Sequence, residues 1–168
     1  MNLDFASVWE MISDIVPEND ALICGDEIIS WKDYDLQSSK IATALSNAGL
    51  AANSKAGLYL NNSNEYLIGQ NAIFKIGGVP INVNYRYVAE ELIYLLDNSD
   101  SEAVFYHACY SERIKEISSS LPNIKAWIEV ADGTKSEFED ALKFEALLES
   151  CEPMQRIDRD PNTIYMLY

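Results

Sequence analysis

The fold is decided by residues 74–87, which read Phe-Lys-Ile-Gly-Gly-Val-Pro-Ile-Asn-Val-Asn-Tyr-Arg-Tyr. An apolar helix ends at Gly77 and Gly78, a short strand follows at residues 79–83, and a polar, aromatic loop comes next. We interpret the two glycines as a helix stop, because a phosphate-binding turn would place them at the start of a helix. Pro80 cannot donate to a ladder of backbone hydrogen bonds, so we expect it at the first paired position of the strand.

The same succession of helix and strand recurs on both sides of this stretch. Apolar runs of strand length lie at residues 56–60, 79–83, 103–106 and 126–130. Helical spacing of apolar residues joins them at residues 65–76, 88–98 and 114–121. Strands that alternate with helices specify parallel pairing through crossover connections. The sequence therefore predicts an α/β fold, a Rossmann-like doubly wound, mostly parallel sheet with helices on both faces.

The two ends of the chain add further elements to one predicted domain, residues 1–168. Apolar residues at helical spacing predict a first helix that ends before Pro17. Two short apolar runs, residues 21–24 and 28–31, flank a Gly-Asp turn and predict a β-hairpin. Residues 131–168 are predicted to form an irregular connection and a final strand, which we expect to find no neighbour.

Acidic residues dominate the charge of the chain. It carries 27 Asp and Glu against 12 Lys and Arg, a net charge of -15. Such a surface repels phosphate backbones and anionic lipid, so we expect neither nucleic acid nor an anionic membrane as a partner. No apolar run approaches the roughly 18 residues that a membrane span requires. The three cysteines are far apart and odd in number, which indicates reduced thiols and a cytoplasmic protein.

The usual signatures of catalysis and nucleotide binding are absent. The chain has no dinucleotide fingerprint, no phosphate-binding P-loop and no nucleophile elbow. We therefore predict no catalytic, cofactor-binding or metal-binding residue in it. His107, the one histidine, follows a predicted strand, and we interpret it as a surface or capping residue.

The polar residues at and after the predicted strand 79–83 allow two interpretations of Arg86. Arg86 could hold a carboxylate or phosphate, or it could pair with Glu90 or Glu91 of the next helix. Asn82 and Asn84 are interpreted as turn residues that satisfy the backbone. In the preceding helix, the amides of residues 70 and 71 are expected to bond to the sheet rather than to a ligand.

Four segments in the same order resemble the adenylate-forming, AMP-binding superfamily of acyl-CoA synthetases. Residues 75–87 are similar to its Lys-Ala-Gly-Gly-Val segment, and residues 29–35 to an early segment at a helix start. Residues 57–66 and 90–97 resemble the strand-helix segment and the acidic helix on either side. Residues 82–87 lean toward the fatty acyl-CoA synthetase branch.

This resemblance implies the N-terminal portion of a fatty-acid–CoA ligase, which activates a carboxylic acid with ATP and transfers it to coenzyme A. The full enzyme would use ATP, Mg²⁺ and CoA, with its ATP-binding core and C-terminal domain as the partners of this portion. Tyr168 would directly precede the phosphate-binding loop, so the isolated chain is expected to be inactive. The residues that carry the resemblance, or could form an interface, are Gly77, Gly78, Pro80, Asn82, Asn84 and Arg86.

Two other interpretations stay open at this point. The chain could be a free-standing, non-catalytic scaffold or partner-binding module. A flavodoxin-like or response-regulator domain would share the alternation, but four polar residues, 61–64, stand where its phosphate loop or acidic cluster belongs. For a fragment of the larger enzyme, we expect exposed apolar surface, or an edge strand, to promote self-association into dimers or higher oligomers.

Overall fold

Two sheets and six α-helices organise the residues that the computed structural model describes, 3–162 and 165–167. The helices are α1 (Phe5–Ile15), α2 (Trp31–Asn47), α3 (Asn64–Lys75), α4 (Ala89–Asn98), α5 (Ser111–Ser118) and α6 (Phe144–Ser150). The strands are β1 (Asp20–Cys24), β2 (Glu27–Ser30), β3 (Lys55–Tyr59), β4 (Val79–Asn82), β5 (Ser101–His107), β6 (Ala126–Val130) and β7 (Leu142–Lys143). A short 3₁₀-helix, Ala108–Tyr110, follows β5.

The larger sheet is parallel throughout and has the strand order β4-β3-β5-β6-β7. Each connection between consecutive strands from β3 to β6 contains a helix, as crossover connections between parallel strands usually do. The predicted α/β class is confirmed, and so is the hairpin, since β1 and β2 pair antiparallel around the Gly-Asp turn. Residues 131–168 contain β7 and α6 in addition to irregular connections.

Helices cover both faces of the sheet, as the alternation of strand side chains requires. Phe105 of β5 is buried on the face that also buries Ile41 of α2 and Ile68 of α3. Its neighbours Val104 and Tyr106 are buried on the opposite face, with Leu92 and other residues of α4 and α5. A strand that is apolar on both faces is typical of a parallel sheet buried from both sides.

Gly77 and Gly78 end α3 by a Schellman motif, which confirms the helix stop. The Gly77 amide donates to the Phe74 carbonyl and the Gly78 amide to the Ile73 carbonyl, both at 2.9 Å. The backbone φ of +71° at Gly77 favours glycine, whereas at Gly78 the neighbouring atoms leave no room for a side chain. A Cβ on Gly78 would lie 2.9 Å from the Ser54 carbonyl oxygen, so the close approach of α3's end to β3 requires a glycine.

Pro80 lies one position later in the strand than expected, because Val79 already pairs with Lys55. The Pro80 carbonyl accepts from the Leu167 amide at 3.1 Å, so this residue's backbone faces away from β3. Its missing N–H therefore removes no hydrogen bond between β3 and β4.

The expectation that the final run finds no neighbour is wrong at Leu167, which forms a parallel bridge with Ile81. The run's other predicted members, residues 164 and 168, lie outside the described residues.

No helix among residues 3–162 and 165–167 is long and apolar enough to cross a bilayer.

Candidate functional site

The loops after β3, β4 and β5 meet at the carboxyl edge of the sheet, where open α/β folds bind their ligands. Arg113, from α5, joins two of these loops: it donates to the Tyr59 hydroxyl and, at 2.8 Å, to the Tyr87 carbonyl. The Tyr59 hydroxyl in turn donates to the same Tyr87 carbonyl at 3.2 Å. Burial raises the pKa of Tyr59, so the hydroxyl keeps its proton and its role as a donor. The loop after β4 is therefore held at the Tyr87 carbonyl by hydrogen bonds from Tyr59 and Arg113.

His107 is buried at the end of β5, with 6% of its surface exposed, so of its two interpretations, a surface or a capping residue, the first is wrong and the second is confirmed. Its Nδ1 accepts from the Asn61 amide at 3.2 Å, which makes it a cap for the loop after β3. Burial lowers the pKa of His107 against the smaller opposing effects of Asp132 and Glu65. The imidazole is therefore neutral near pH 7, and Tyr110 completes the contact by donating to the Asn61 side chain at 2.9 Å.

Cys109 follows His107 at the same edge, in surroundings that disfavour its thiolate form. Burial and the neighbouring Asp132 carboxylate raise its pKa to about 11. A thiolate nucleophile requires the opposite surroundings, positive charge and a lowered pKa. Asp132 accepts from the Cys109 amide at 3.0 Å, so its role here is to cap the 3₁₀-helix.

The residues singled out in the sequence lie at opposite ends of β4. Asn82, Asn84 and Arg86 are exposed at the carboxyl edge, whereas Gly77 and Gly78 lie at the amino end of the strand. The Asn84 side chain accepts from the Arg86 amide at 3.0 Å, which confirms its turn role.

The other two side chains differ from the expectation. The Asn82 side chain accepts from the Tyr66 hydroxyl at 3.0 Å rather than from a turn amide. The Arg86 guanidinium lies 5.2 Å from the centre of the Tyr85 ring, a cation–π contact. Within the described part of the chain it forms no ion pair with Glu90 or Glu91. The Glu91 carboxylate instead accepts from the Val88 amide and caps α4.

The side chains at this edge bond to one another and to backbone, and none of them is arranged as a nucleophile with its base. The described residues also contain no group of three or more His, Cys, Asp or Glu side chains that could hold a metal ion. The carboxyl edge of the sheet is therefore a surface held in place by internal hydrogen bonds, with the exposed residues 84–86 at its border.

A buried charge cluster that periodicity did not reveal lies at the other end of the sheet. Lys75, at the end of α3, is 2.8 Å from Glu10 of α1 and 2.6 Å from Asp35 of α2. Arg159 is 2.8 Å from Glu10 and 3.1 Å from Asp4. Only 3% of the Lys75 side chain and 4% of the Arg159 side chain are exposed. Helices α1, α2 and α3 and the C-terminal connection are thus joined by paired, desolvated charges.

The C-terminal connection crosses α1 and α2 as a strap, which we define as residues 151–162. Arg156 forms a two-pronged bond to Asp14, at 2.7 and 2.9 Å. This bond lowers the pKa of Asp14. The Met154 amide donates to the Ser39 carbonyl at 3.0 Å, and the Thr43 hydroxyl donates to the Glu152 carbonyl at 2.7 Å. Further along the chain, Leu167 pairs with Ile81 of β4.

A family match over residues 13–168, described as AMP-binding enzyme, covers almost the whole chain. The chain belongs to this family. Among curated relatives, a medium/long-chain-fatty-acid–CoA/3-oxocholest-4-en-26-oate–CoA ligase of Mycobacterium marinum is 34% identical over 174 residues. That match covers 99% of this chain and 32% of the relative. A 3-oxocholest-4-en-26-oate–CoA ligase of Rhodococcus rhodochrous is also 34% identical, over 100% of this chain and 31% of its own length.

Solved structures of this class share the fold. An anthranilate CoA ligase in complex with anthranoyl-AMP superposes with a TM-score of 0.89 at 17% identity, over 98% of this chain and 32% of that one. A fatty acyl CoA synthetase of Mycobacterium tuberculosis gives 0.78 at 21% identity, over 96% and 32%. The chain thus spans about a third of the length of the relatives it matches.

Proposed function

We propose that this chain is the N-terminal structural portion of an ATP-dependent acyl-CoA ligase that activates a fatty or related carboxylic acid. The observation that carries the proposal is the match to acyl-CoA ligases over nearly the whole chain but only about a third of theirs. In this role the chain supplies a parallel five-stranded sheet and the loops at its carboxyl edge. The activation of the acid and the transfer to CoA belong to the remainder of the enzyme.

We likewise assign the cofactors of the full enzyme to its remainder and not to this chain. Adenylate-forming acyl-CoA ligases use ATP, Mg²⁺ and CoA. The net charge of -15 on this chain opposes binding of the anionic ATP and CoA by this portion alone. We propose that it meets them only through its contacts with the remainder, with the exposed residues Asn82, Asn84 and Arg86 as part of that interface. We also propose a cytoplasmic location, since the three cysteines are free.

A chimeric enzyme tests the proposed function. The matched first third of the Mycobacterium marinum ligase is replaced by residues 1–168, and thioester formation is measured with ATP, Mg²⁺, CoA and a medium-chain fatty acid. We expect acyl-CoA from the chimera and none from the isolated chain. A correctly folded chimera without any acyl-CoA product would contradict the proposal.

A free-standing scaffold is the second candidate. It is favoured by the carboxyl edge, whose side chains bond to each other, and by the lack of a metal-ligating group in the described residues. A scaffold would fold without any partner and would give an inactive chimera. The self-association expected from the sequence would have to displace the bridge between Leu167 and Ile81 if it used the β4 edge of the sheet, but not if it used β7 at the opposite edge. Sedimentation of the isolated chain tests that prediction.

A further inference from the structure

An aromatic groove opens between α1, α3 and the segment Tyr165–Met166. We define the groove by its lining residues, which are Phe5, Trp9, Gln70, Phe74, Tyr165 and Met166. The Phe5 ring lies 5.5 Å from Phe74 and 4.7 Å from Tyr165, centre to centre. Phe5 makes both of these ring contacts, and yet 47% of its surface is exposed. A large aromatic side chain that packs on one side and faces water on the other marks a surface that another part covers.

The composition of the groove is that of an interface core. Its lining consists of aromatic residues, a methionine and one amide, without a charged side chain. Aromatic residues and methionine are enriched, and charged residues depleted, in the fully buried centre of protein interfaces. Leu67, on the same helix as Gln70, is 38% exposed and extends the apolar surface along α3.

Net charge and chain length indicate which polypeptide covers the groove. A second copy would bring two chains of net charge -15 together, and their mutual repulsion opposes such a dimer. In the relatives, by contrast, about two thirds of the polypeptide lie outside the matched part. Tyr165 and Met166 both line the groove, so any polypeptide that continues from this region starts within a few residues of it.

We propose that the aromatic groove is the surface on which the remainder of the ligase docks. This inference rests on the proposed function, because it requires that a remainder exists. It assigns the contact to the amino-end half of α1 and the outer side of α3, and not to the carboxyl edge alone. The remainder covers Phe5 with apolar surface and removes the groove from water.

Cysteine accessibility tests the proposal. In a background without the native cysteines, Cys24, Cys109 and Cys151, a thiol is placed in the groove by Gln70→Cys. Gln70 is a mild site because its replacement removes none of the aromatic contacts. Alkylation rates are compared between the isolated chain and the Mycobacterium marinum chimera. Ile15→Cys, near the far end of α1 and 74% exposed, is the matched control.

We expect the groove thiol to react at least about tenfold more slowly in the chimera, and the control thiol at similar rates in both proteins. Equal rates for the groove thiol would overturn the docking surface. Slow, concentration-dependent labelling in the isolated chain would also overturn it, since a second copy would then occupy the groove. Failure of the proposed function has a different signature, because the chimera then forms no acyl-CoA whatever its labelling. Circular dichroism of each variant verifies that the proteins compared are folded.

Discussion

Replacement of Lys75 by methionine is the sharpest test of how the helix layer is held together. The ammonium group lies within 2.8 Å of two carboxylates, Glu10 and Asp35, and only 3% of the side chain is exposed. Methionine keeps most of the volume and the apolar stem but removes the charge. Glu10 retains Arg159 at 2.8 Å, whereas Asp35 keeps only a longer contact to Arg156, at 3.6 Å.

The expected loss of stability follows from the carboxylates that remain. Removal of one partner from a buried ion pair lowers the free energy of unfolding by about 3–5 kcal/mol, because the other charge stays desolvated. Since Arg159 compensates part of the charge of Glu10, we expect about 3 kcal/mol for Lys75→Met. That is a large fraction of the roughly 5–15 kcal/mol by which domains of this size are stable. Asp35→Asn in the same background should recover at least about 1 kcal/mol.

Urea unfolding followed by circular dichroism measures these differences. Lys135→Met is the matched control, because Lys135 pairs with Glu137 at 3.4 Å while 87% of its side chain is exposed. We expect the control to change the free energy of unfolding by less than about 0.5 kcal/mol. If Lys75→Met also stays within about 1 kcal/mol of the parent protein, the buried charge cluster does not stabilise the fold, and the reasoning is refuted.

Three further predictions concern single sites. The C2 proton of His107, the one histidine, should titrate in NMR with a pKa below 6.5. Because the unfolded chain binds that proton more tightly, stability should fall as the pH decreases through the unfolded pKa, and a pKa at or above 6.5 would contradict this. Gly78→Ala should lower the free energy of unfolding by about 1–3 kcal/mol in urea, owing to the 2.9 Å approach of its Cβ to a carbonyl oxygen; an unchanged midpoint would disagree. Asp132→Asn should accelerate alkylation of Cys109 about fivefold at pH 8, whereas an unchanged rate would exclude the carboxylate as a cause of the raised pKa.

The order of elements was predictable because each is encoded locally. Apolar runs between turn residues marked β3 to β6 within two or three residues, and the glycine pair marked the end of α3. The two-residue strand β7 was missed, since so short a segment carries no periodicity. The position of Pro80 was misjudged by one residue because the outer partner of β4, Leu167, is 87 residues beyond Pro80 in the chain, a separation that local patterns do not record.

The buried charge cluster was invisible for a related reason. Its bonds join residues 40 to 155 positions apart, so no spacing rule connects them. A signal was nevertheless present in part: Lys75 ends a helix that is apolar almost all round, and Glu10 follows Trp9 on a helix whose other residues are mostly apolar. Charged residues in such surroundings are rarely buried without a partner. His107 likewise gave no hint of its burial, because its cap on Asn61 joins two separate loops.

Titration with ATP and Mg²⁺ by calorimetry, on the isolated chain and on the chimera under the same conditions, tests the central claim most directly. The claim is that residues 1–168 supply the fold of a ligase portion while the remainder supplies nucleotide binding. We predict no measurable binding to the isolated chain and saturable binding to the chimera. Micromolar binding of ATP to residues 1–168 alone would contradict the claim.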